Sequence, residues 1–318
     1  MSQKILNRNC ILCGSKNNEK IFQFTYDFVK NVRKSDPKIK YGWDENTNNW
    51  IVGCKECGCT YVNEVIKGKA LEGAEIKNNN FESELFNFYN PKNLILNLHD
   101  INYNESILIN ILKNSKQKKN IKILDYGSGN SEFSLLKDKY SIDEIVAYDP
   151  LYPDDIKDIF KRLNIDSKPV NKIEDLIGRK FDIIICQSVI EHVSDPNFEI
   201  SNMRNLLKDD GVVYINNPYM NIRKDLKYLI SAKHIKKEDH ISCYHIDHIN
   251  YMMPNIFLKL CKKNDFQLIN FWQIFNGTSK NNSFKDTLKI NINSFVHFII
   301  NSFGIYYKKQ HFFLKLKK

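Results

Sequence analysis

Long hydrophobic runs are missing from this sequence. Nothing approaches the roughly 18–20 apolar residues that a membrane-crossing helix needs. The opening residues, MSQKILNRNC, carry no apolar core of the signal-peptide kind. Export is therefore not expected, and the expected location is the cytoplasm. Internal repeats and long low-complexity blocks are also missing, which excludes a repeat architecture. Disulfides are not expected either, because eight cysteines in a cytoplasmic chain stay reduced.

What is present suits a packed globular protein. The chain has 318 residues, 42% of them hydrophobic and 26% charged, enough for one large domain and one small one. The formal net charge is +10. Lysine, asparagine and isoleucine are all abundant, so this balance is read as composition bias rather than as a nucleic-acid site. The one concentrated basic stretch is the end, Lys308 to Lys318.

Residues 81–113 show apolar positions at three- and four-residue spacing and read as helices broken near Pro91. Strands and helices then alternate. IKILDY (121–126) is a buried strand, SEFSLLKDKY a helix, EIVAYD (144–149) a strand and DDIKDIFKRLN a helix. A weak strand lies near Lys168–Val170, and FDIIICQ (181–187) is the strongest strand. NFEISNMRNLLKDD reads as a helix stopped by Gly211, GVVYINN (211–217) as a strand, MMPNIFLKLCKKND as a helix and FQLINFWQIF (266–275) as a strand. This alternation predicts an α/β fold, a mostly parallel sheet with helices on both faces.

The sharpest motif is Leu124-Asp125-Tyr126-Gly127-Ser128-Gly129-Asn130-Ser131-Glu132-Phe133. A strand leads into a turn with two glycines, where backbone can approach a ligand closely. Asp149 closes the next strand, 24 residues after Asp125, where an acid can accept hydrogen bonds from ribose hydroxyls. A dinucleotide site is disfavoured: an acid precedes the first glycine, and Glu132 stands where GxGxxG has its third. An acid before the turn suits a ligand carrying an ammonium and a sulfonium.

The segment resembles motif I of class I S-adenosylmethionine-dependent methyltransferases, (D/E)xGxGxG, with Ser131 in place of the last glycine. FDIIICQSVIEHVSDP (181–196) and LLKDDGVVYINNP are similar to the fourth- and fifth-strand segments of that superfamily. The resemblance covers roughly residues 115–275. It implies a Rossmann-like seven-stranded sheet, with Asp125, Gly127, Ser128 and Gly129 against the methionine arm of S-adenosylmethionine and Asp149 on the ribose. Gln187 and Ser188 are expected at the mouth, with Glu174 and Asp175 as adenine-side candidates that equally read as solvated helix-start residues. Asn217-Pro218-Tyr219 looks like an NPPY motif but has one proline and follows the wrong strand.

Cys10-x-x-Cys13 and Cys54-x-x-Cys57 are two knuckle-like pairs, each followed by glycine (Gly14, Gly58). Two such turns complete a tetrahedral structural Zn²⁺ site, a small zinc-ribbon-like module with Cys59 as a neighbour and Trp43 and Trp50 packing beside it. The combination resembles bacterial methyltransferases with a zinc-binding N-terminal region, including those acting on sugars and surface-polysaccharide precursors. That resemblance implies a carbohydrate or other small-molecule acceptor and places Glu191-His192 near it. An alcohol acceptor must lose a proton, and His192 is the first candidate base, with Glu191 orienting it; a helix-start histidine that merely caps is the bland alternative. In the cluster His240 to His248, Tyr244 and His245 are read as substrate contacts ahead of metal ligands, and ordinary loop residues ahead of both.

The expected organisation is a zinc-binding module at 1–66, a helical linker or substrate cap at 67–114, the cofactor domain at 115–280 and a C-terminal extension at 281–318. The rivals are an RNA or protein methyltransferase whose zinc module docks the polymer, and a noncatalytic cofactor-binding scaffold. The apolar stretch from Ser294, followed by lysines interleaved with Phe312, Phe313, Leu314 and Leu316, suits peripheral contact with an anionic membrane at its inner face. A last sheet strand or a packed helix fits it equally.

Overall fold

The computed structural model describes residues 5–27, 30, 48–66, 81–90, 98–115, 117, 119–218, 248–269 and 309–317. Five short strands open the chain: β1 (Ile5–Asn7), β2 (Asn18–Thr25), β3 (Asn48–Cys54), β4 (Thr60–Val62) and β5 (Glu64–Ile66). β1 pairs antiparallel with β5, and β2, β3 and β4 form an antiparallel meander. The cysteine pairs occupy the two tight turns that follow β1 and β3.

Helices α1 (Phe81–Tyr89) and α2 (Leu98–Asn114) precede the main sheet. Its strands are β6 (Ile121–Tyr126), β7 (Ile142–Tyr148), β8 (Lys168–Val170), β9 (Phe181–Gln187) and β10 (Leu207–Pro218). The interleaved helices are α3 (Ile156–Arg162) and α4 (Pro196–Leu206). The dipeptide β11 (Asn250–Tyr251), helix α5 (Pro254–Lys263), β12 (Phe266–Leu268) and β13 (Lys309–Leu316) follow among the described residues. The seven strands run in the order β12-β13-β10-β9-β6-β7-β8. β8, β7, β6, β9 and β10 are parallel, and β13 is antiparallel to both its neighbours. This is the α/β architecture that the alternating pattern predicts.

Central strands of a parallel sheet are buried on both faces, which explains the unbroken apolar run of β9, where six of seven residues are buried. Successive side chains then divide between two cores. Leu124, Val146, Ile184, Val213 and Ile215 join α4 and α5 on one face. Ile123, Ile145, Ile183, Ile185 and Tyr214 meet Ile107, Leu108 and Ile111 of α2 on the other. The cysteine module belongs to the first core, because Leu12, Val52 and Tyr61 pack into the same cluster. β11 also pairs with β4, so one strand leaving the main domain becomes part of the small sheet.

Several sequence expectations need correction. SEFSLLKDKY is not an α-helix but two 3₁₀ turns, Glu132–Leu136 and Asp138–Tyr140. Ser131 takes a left-handed conformation (φ 53°), and its carbonyl accepts from the Ser134 amide three residues on, which sets the tighter pitch. The helix before β10 ends at Leu206, not at Gly211. Leu207 is already extended, fully buried and paired with Phe181. Its start matches the sequence: Asp195 accepts from the Asn197 and Phe198 amides, with Pro196 in the first turn.

Residues 98–114, expected within a helical linker or substrate cap, form α2 and pack on one face of the sheet through Ile107, Leu108 and Ile111. The last residues are not an extension. Phe312 and Leu314 lie in one core and Phe313 in the other, so β13 is a strand inside the sheet. Those side chains are therefore not available to a membrane surface. Of the expected strand 266–275, Phe266–Leu268 is seen. Pro91, Trp43, residues 270–308 and most of the 240–248 cluster, including Tyr244 and His245, lie outside the described residues. Among the described residues no helix is long and apolar enough to cross a membrane.

Candidate active site and cysteine centre

The glycine turn sits at the carboxyl end of β6, where open α/β sheets bind ligands. Gly127 (φ 73°) and Gly129 (φ 50°) both require the left-handed region. The Gly127 and Ser128 amides donate to the Tyr148 carbonyl at 2.7 and 3.0 Å, tying the turn to β7. Asp149 binds it from behind: one carboxylate oxygen accepts from the Gly129 amide and the other from the Leu151 amide, each at 2.9 Å. Tyr152 donates to the Gly129 carbonyl at 2.9 Å and lies 2.6 Å from the Ser128 hydroxyl. Tyr89 of α1 reaches the carbonyls of Asn130 and Ser131 at 3.0 and 2.9 Å.

A cavity of about 230 Å³ opens beside this turn. Of the residues expected at the cofactor, Asp125, Gly127, Ser128 and Gln187 line it, together with Tyr103, Asn104, Glu132 and Phe133, whereas Gly129, Asp149 and Ser188 are not among its lining residues. Tyr103 and Asn104 belong to no motif, and Glu132 and Phe133 close the glycine-turn segment. Asn104 donates to Glu132 at 2.5 Å and accepts from Gln187 at 3.1 Å, so α2, the turn and β9 are joined by one polar chain. Asn216 donates to the Tyr103 hydroxyl at 3.1 Å. Ser188 (φ 53°) is exposed at the tip of β9. Glu174 and Asp175 are exposed in a 3₁₀ turn after β8, the placement of solvated helix-start residues.

Asp125 dominates the electrostatics. It is buried, and burial, with Glu132 and Asp149 nearby, raises its carboxyl well above the ordinary carboxylate range. Two acids, Asp125 and Glu132, line this small cavity and Asp149 lies behind its turn, a concentration of negative charge that calls for a cation. A ligand with an ammonium and a sulfonium meets that requirement, and the left-handed glycine backbone gives it close access; the site fits S-adenosylmethionine.

Glu191 and His192 lie in the turn after β9, with the His192 amide donating to the Val189 carbonyl at 2.9 Å. Glu191 is buried and His192 is one-third exposed, their side chains 3.9 Å apart. His248, which the sequence places at the end of the histidine cluster, packs its ring 4.7 Å from that of His192. One ligand atom from each of the three lies within 4.8 Å of the others, a set that also fits a divalent cation.

The four cysteines come together as the spacing predicts. Cys10 and Cys57 sulfurs are 3.4 Å apart and Cys13 and Cys54 sulfurs 3.6 Å, with all four within 4.8 Å of one another. The edge of a Zn–S₄ tetrahedron is about 3.8 Å for bonds near 2.3 Å, so this donor set fits zinc. Gly14 and Gly58, both at φ 76°, close the two knuckles by donating to the Cys10 and Cys54 carbonyls. The buried Cys59 thiol, with backbone amides, brings Cys10 down to about 4. Trp50 is partly buried against the same core, beneath Lys20.

Comparison with known proteins decides the family. Residues 99–270, more than half of the chain, match the family model described as a methyltransferase domain. The chain belongs to this methyltransferase family. The match begins in α2, in agreement with its packing on the sheet. A ubiquinone biosynthesis O-methyltransferase of Pelagibacter ubique (strain HTCC1062) is 27% identical over 186 residues, 54% of this chain and 76% of that protein. The protein of the same name from Glaesserella parasuis serovar 5 (strain SH0165) is 31% identical over 88 residues, 28% of this chain; the match spans little more than a third of that relative, 36%. A tRNA U34 carboxymethyltransferase of Campylobacter lari is 28% identical, over 40% of this chain and 46% of its own. Among solved structures, an O-methyltransferase of a Brevibacillus brevis polyketide synthase with S-adenosyl-L-homocysteine aligns at TM-score 0.43 and 15% identity, covering 73% of this chain and 79% of its own. The plantazolicin methyltransferase BamL aligns at 0.44 and 16%, covering 76% and 96%.

Proposed function

We propose that this methyltransferase moves the methyl group of S-adenosylmethionine to a hydroxyl oxygen of a small molecule. The observation that carries the reading is Asp125, a buried acid beside two further acids at a left-handed glycine turn. S-adenosylmethionine supplies an activated methyl group on sulfur. Asp125 and the turn would hold the methionine arm, and Asp149 would reach the ribose with the remaining lone pairs of its carboxylate. Tyr103, Asn104 and Gln187 would wall the cavity and exclude water. With so good a leaving group, what the protein contributes is orientation and removal of the acceptor proton. His192 would take that proton, with Glu191 orienting its ring.

The hydroxyl assignment draws on His192 and on the O-methyltransferase names of the relatives. A sugar, nucleotide-sugar or surface-polysaccharide precursor keeps the support of the cysteine module followed by the EHV segment. A phenolic acceptor gains the support of relatives named for ubiquinone biosynthesis. The test is methyl transfer from radiolabelled S-adenosylmethionine to both classes, a catechol bearing a prenyl chain and a nucleotide-linked deoxysugar, with His192→Ala as control. Transfer to one class names the acceptor. Label appearing only on bulk tRNA or protein would reject the small-molecule reading.

We also infer one structural Zn²⁺ held by Cys10, Cys13, Cys54 and Cys57. Four cysteines leave no open position for substrate, so this metal would support folding rather than chemistry.

A further inference from the structure

Arg8 lies two residues before Cys10, in the cysteine module, yet its guanidinium reaches the turn of Glu191 and His192. Nη1 donates to the Val62 and Ile249 carbonyls, each at 3.2 Å. Nη2 donates to the Ser194 carbonyl at 2.9 Å and to Asn250 Oδ1 at 2.5 Å. Asn250, on β11, donates in turn through Nδ2 to the Ile190 carbonyl at 2.8 Å and the Val193 carbonyl at 2.7 Å. The Ile249 and Asn250 amides both donate to the Glu191 carbonyl, at 2.8 and 3.1 Å. Four carbonyls of one five-residue turn thus end on Arg8 and β11. Both side chains are buried, at 8% and 3% exposure. Packing alone would not require a buried cation here, since apolar side chains could cover the same surface. A planar fork with fixed donors instead sets the position of what it binds.

We propose that Arg8 and Asn250 are positioning residues that hold the Glu191–His192 turn at the acceptor side of the cofactor cavity, so that the cysteine module governs turnover without touching substrate. This rests on the reading of His192 as the base. The module's knuckle fixes Arg8, Arg8 fixes Asn250 and the Ser194 carbonyl, and Asn250 fixes the carbonyls on either side of His192.

The test uses the full-length, zinc-loaded protein with Arg8→Lys, which keeps the charge but loses the fork, and Asn250→Asp, which keeps the size but loses both donors. Zinc content and S-adenosylmethionine affinity serve as controls, both expected within about twofold of wild type. Amide hydrogen exchange over residues 189–194 should rise about tenfold in each variant, with residues 121–131 unchanged. With whichever of the two acceptors, the prenylated catechol or the nucleotide-linked deoxysugar, takes the methyl group in the transfer assay, kcat should fall about 10- to 100-fold while the KM for S-adenosylmethionine holds. In a His192→Ala background Arg8→Lys should cause no further loss, because a residue acting through His192 has nothing left to position. Unchanged exchange in both variants, or an equal loss with and without His192, would overturn the proposal. Wild-type turnover by His192→Ala alone would instead remove the base assignment and leave the exchange result to judge the clamp.

Discussion

Val189 packs directly over Gly127: a Cβ on that glycine would lie 2.3 Å from Val189 Cγ2. The tip of β9 and the glycine turn of β6 are therefore fitted to each other, and the cavity between them depends on a missing methyl group. Gly127→Ala should destabilise the protein by about 2–4 kcal/mol, combining overpacking with a left-handed backbone at φ 73°. Adding Val189→Ala should recover the overpacking part and not the backbone part. Chemical denaturation of the single and double variants measures both.

Asp125 should trade stability for binding. Its folded-state carboxyl is raised by burial and by Glu132 and Asp149. A raised carboxyl favours the folded state below its unfolded pKa, and that contribution is lost as pH rises through the folded value. Asp125→Asn should therefore raise the melting temperature of the ligand-free protein at pH 7 by about 2–4 °C and abolish S-adenosylmethionine binding. A cationic ligand requires the ionised form, so affinity in the wild type should weaken as pH falls, and binding should release protons. Calorimetry in buffers of different ionisation enthalpy detects that release.

Asp149 touches the Gly129 and Leu151 amides, so Asp149→Ala removes two charge-assisted bonds to the turn as well as the proposed ribose contact. S-adenosylmethionine affinity should fall by about 1–3 kcal/mol, roughly 5- to 150-fold. Asp149→Asn should fall between the two, since the amide oxygen can serve only one of the backbone donors. Titration calorimetry on the three proteins orders them.

Metal analysis should find one zinc per chain. Cys57→Ser should lose it and Cys59→Ser should keep it, because Cys59 touches Cys10 without completing the four-sulfur set. Chelation should lower the melting temperature by more than about 5 °C, since structural metal binding is folding free energy. No zinc and unchanged melting would contradict the assignment.

The end of the chain should behave as core. Phe312→Ala should cost about 3–5 kcal/mol, because its ring is buried 4.5 Å from that of Phe257. Charge reversal at Lys315 and Lys317 should leave cosedimentation with anionic liposomes unchanged.

Much of this was readable before the fold. Periodicity marked β6, β7, β9 and α5 because their burial repeats along the sequence. The CxxC spacing marked the four sulfurs because covalent geometry brings each pair together. Asp125 and the glycines were legible because a left-handed turn needs those residue types. Tyr103 and Asn104 were not, since nothing local distinguishes a cavity-facing residue of an amphipathic helix. The place of β13 between β10 and β12 is set by pairing across a hundred residues. Apolar residues mixed with lysines look alike whether they meet lipid or another strand. The role of Arg8 is not legible locally for the same reason: its partners lie 54 to 242 positions away in sequence.

The central claim is tested most directly by titrating S-adenosylmethionine into the full-length protein in a calorimeter at pH 7.5. One site per chain with a Kd of roughly 1–100 μM, lost in Asp125→Asn, is the predicted result. No heat of binding from the wild-type protein at millimolar ligand would contradict it.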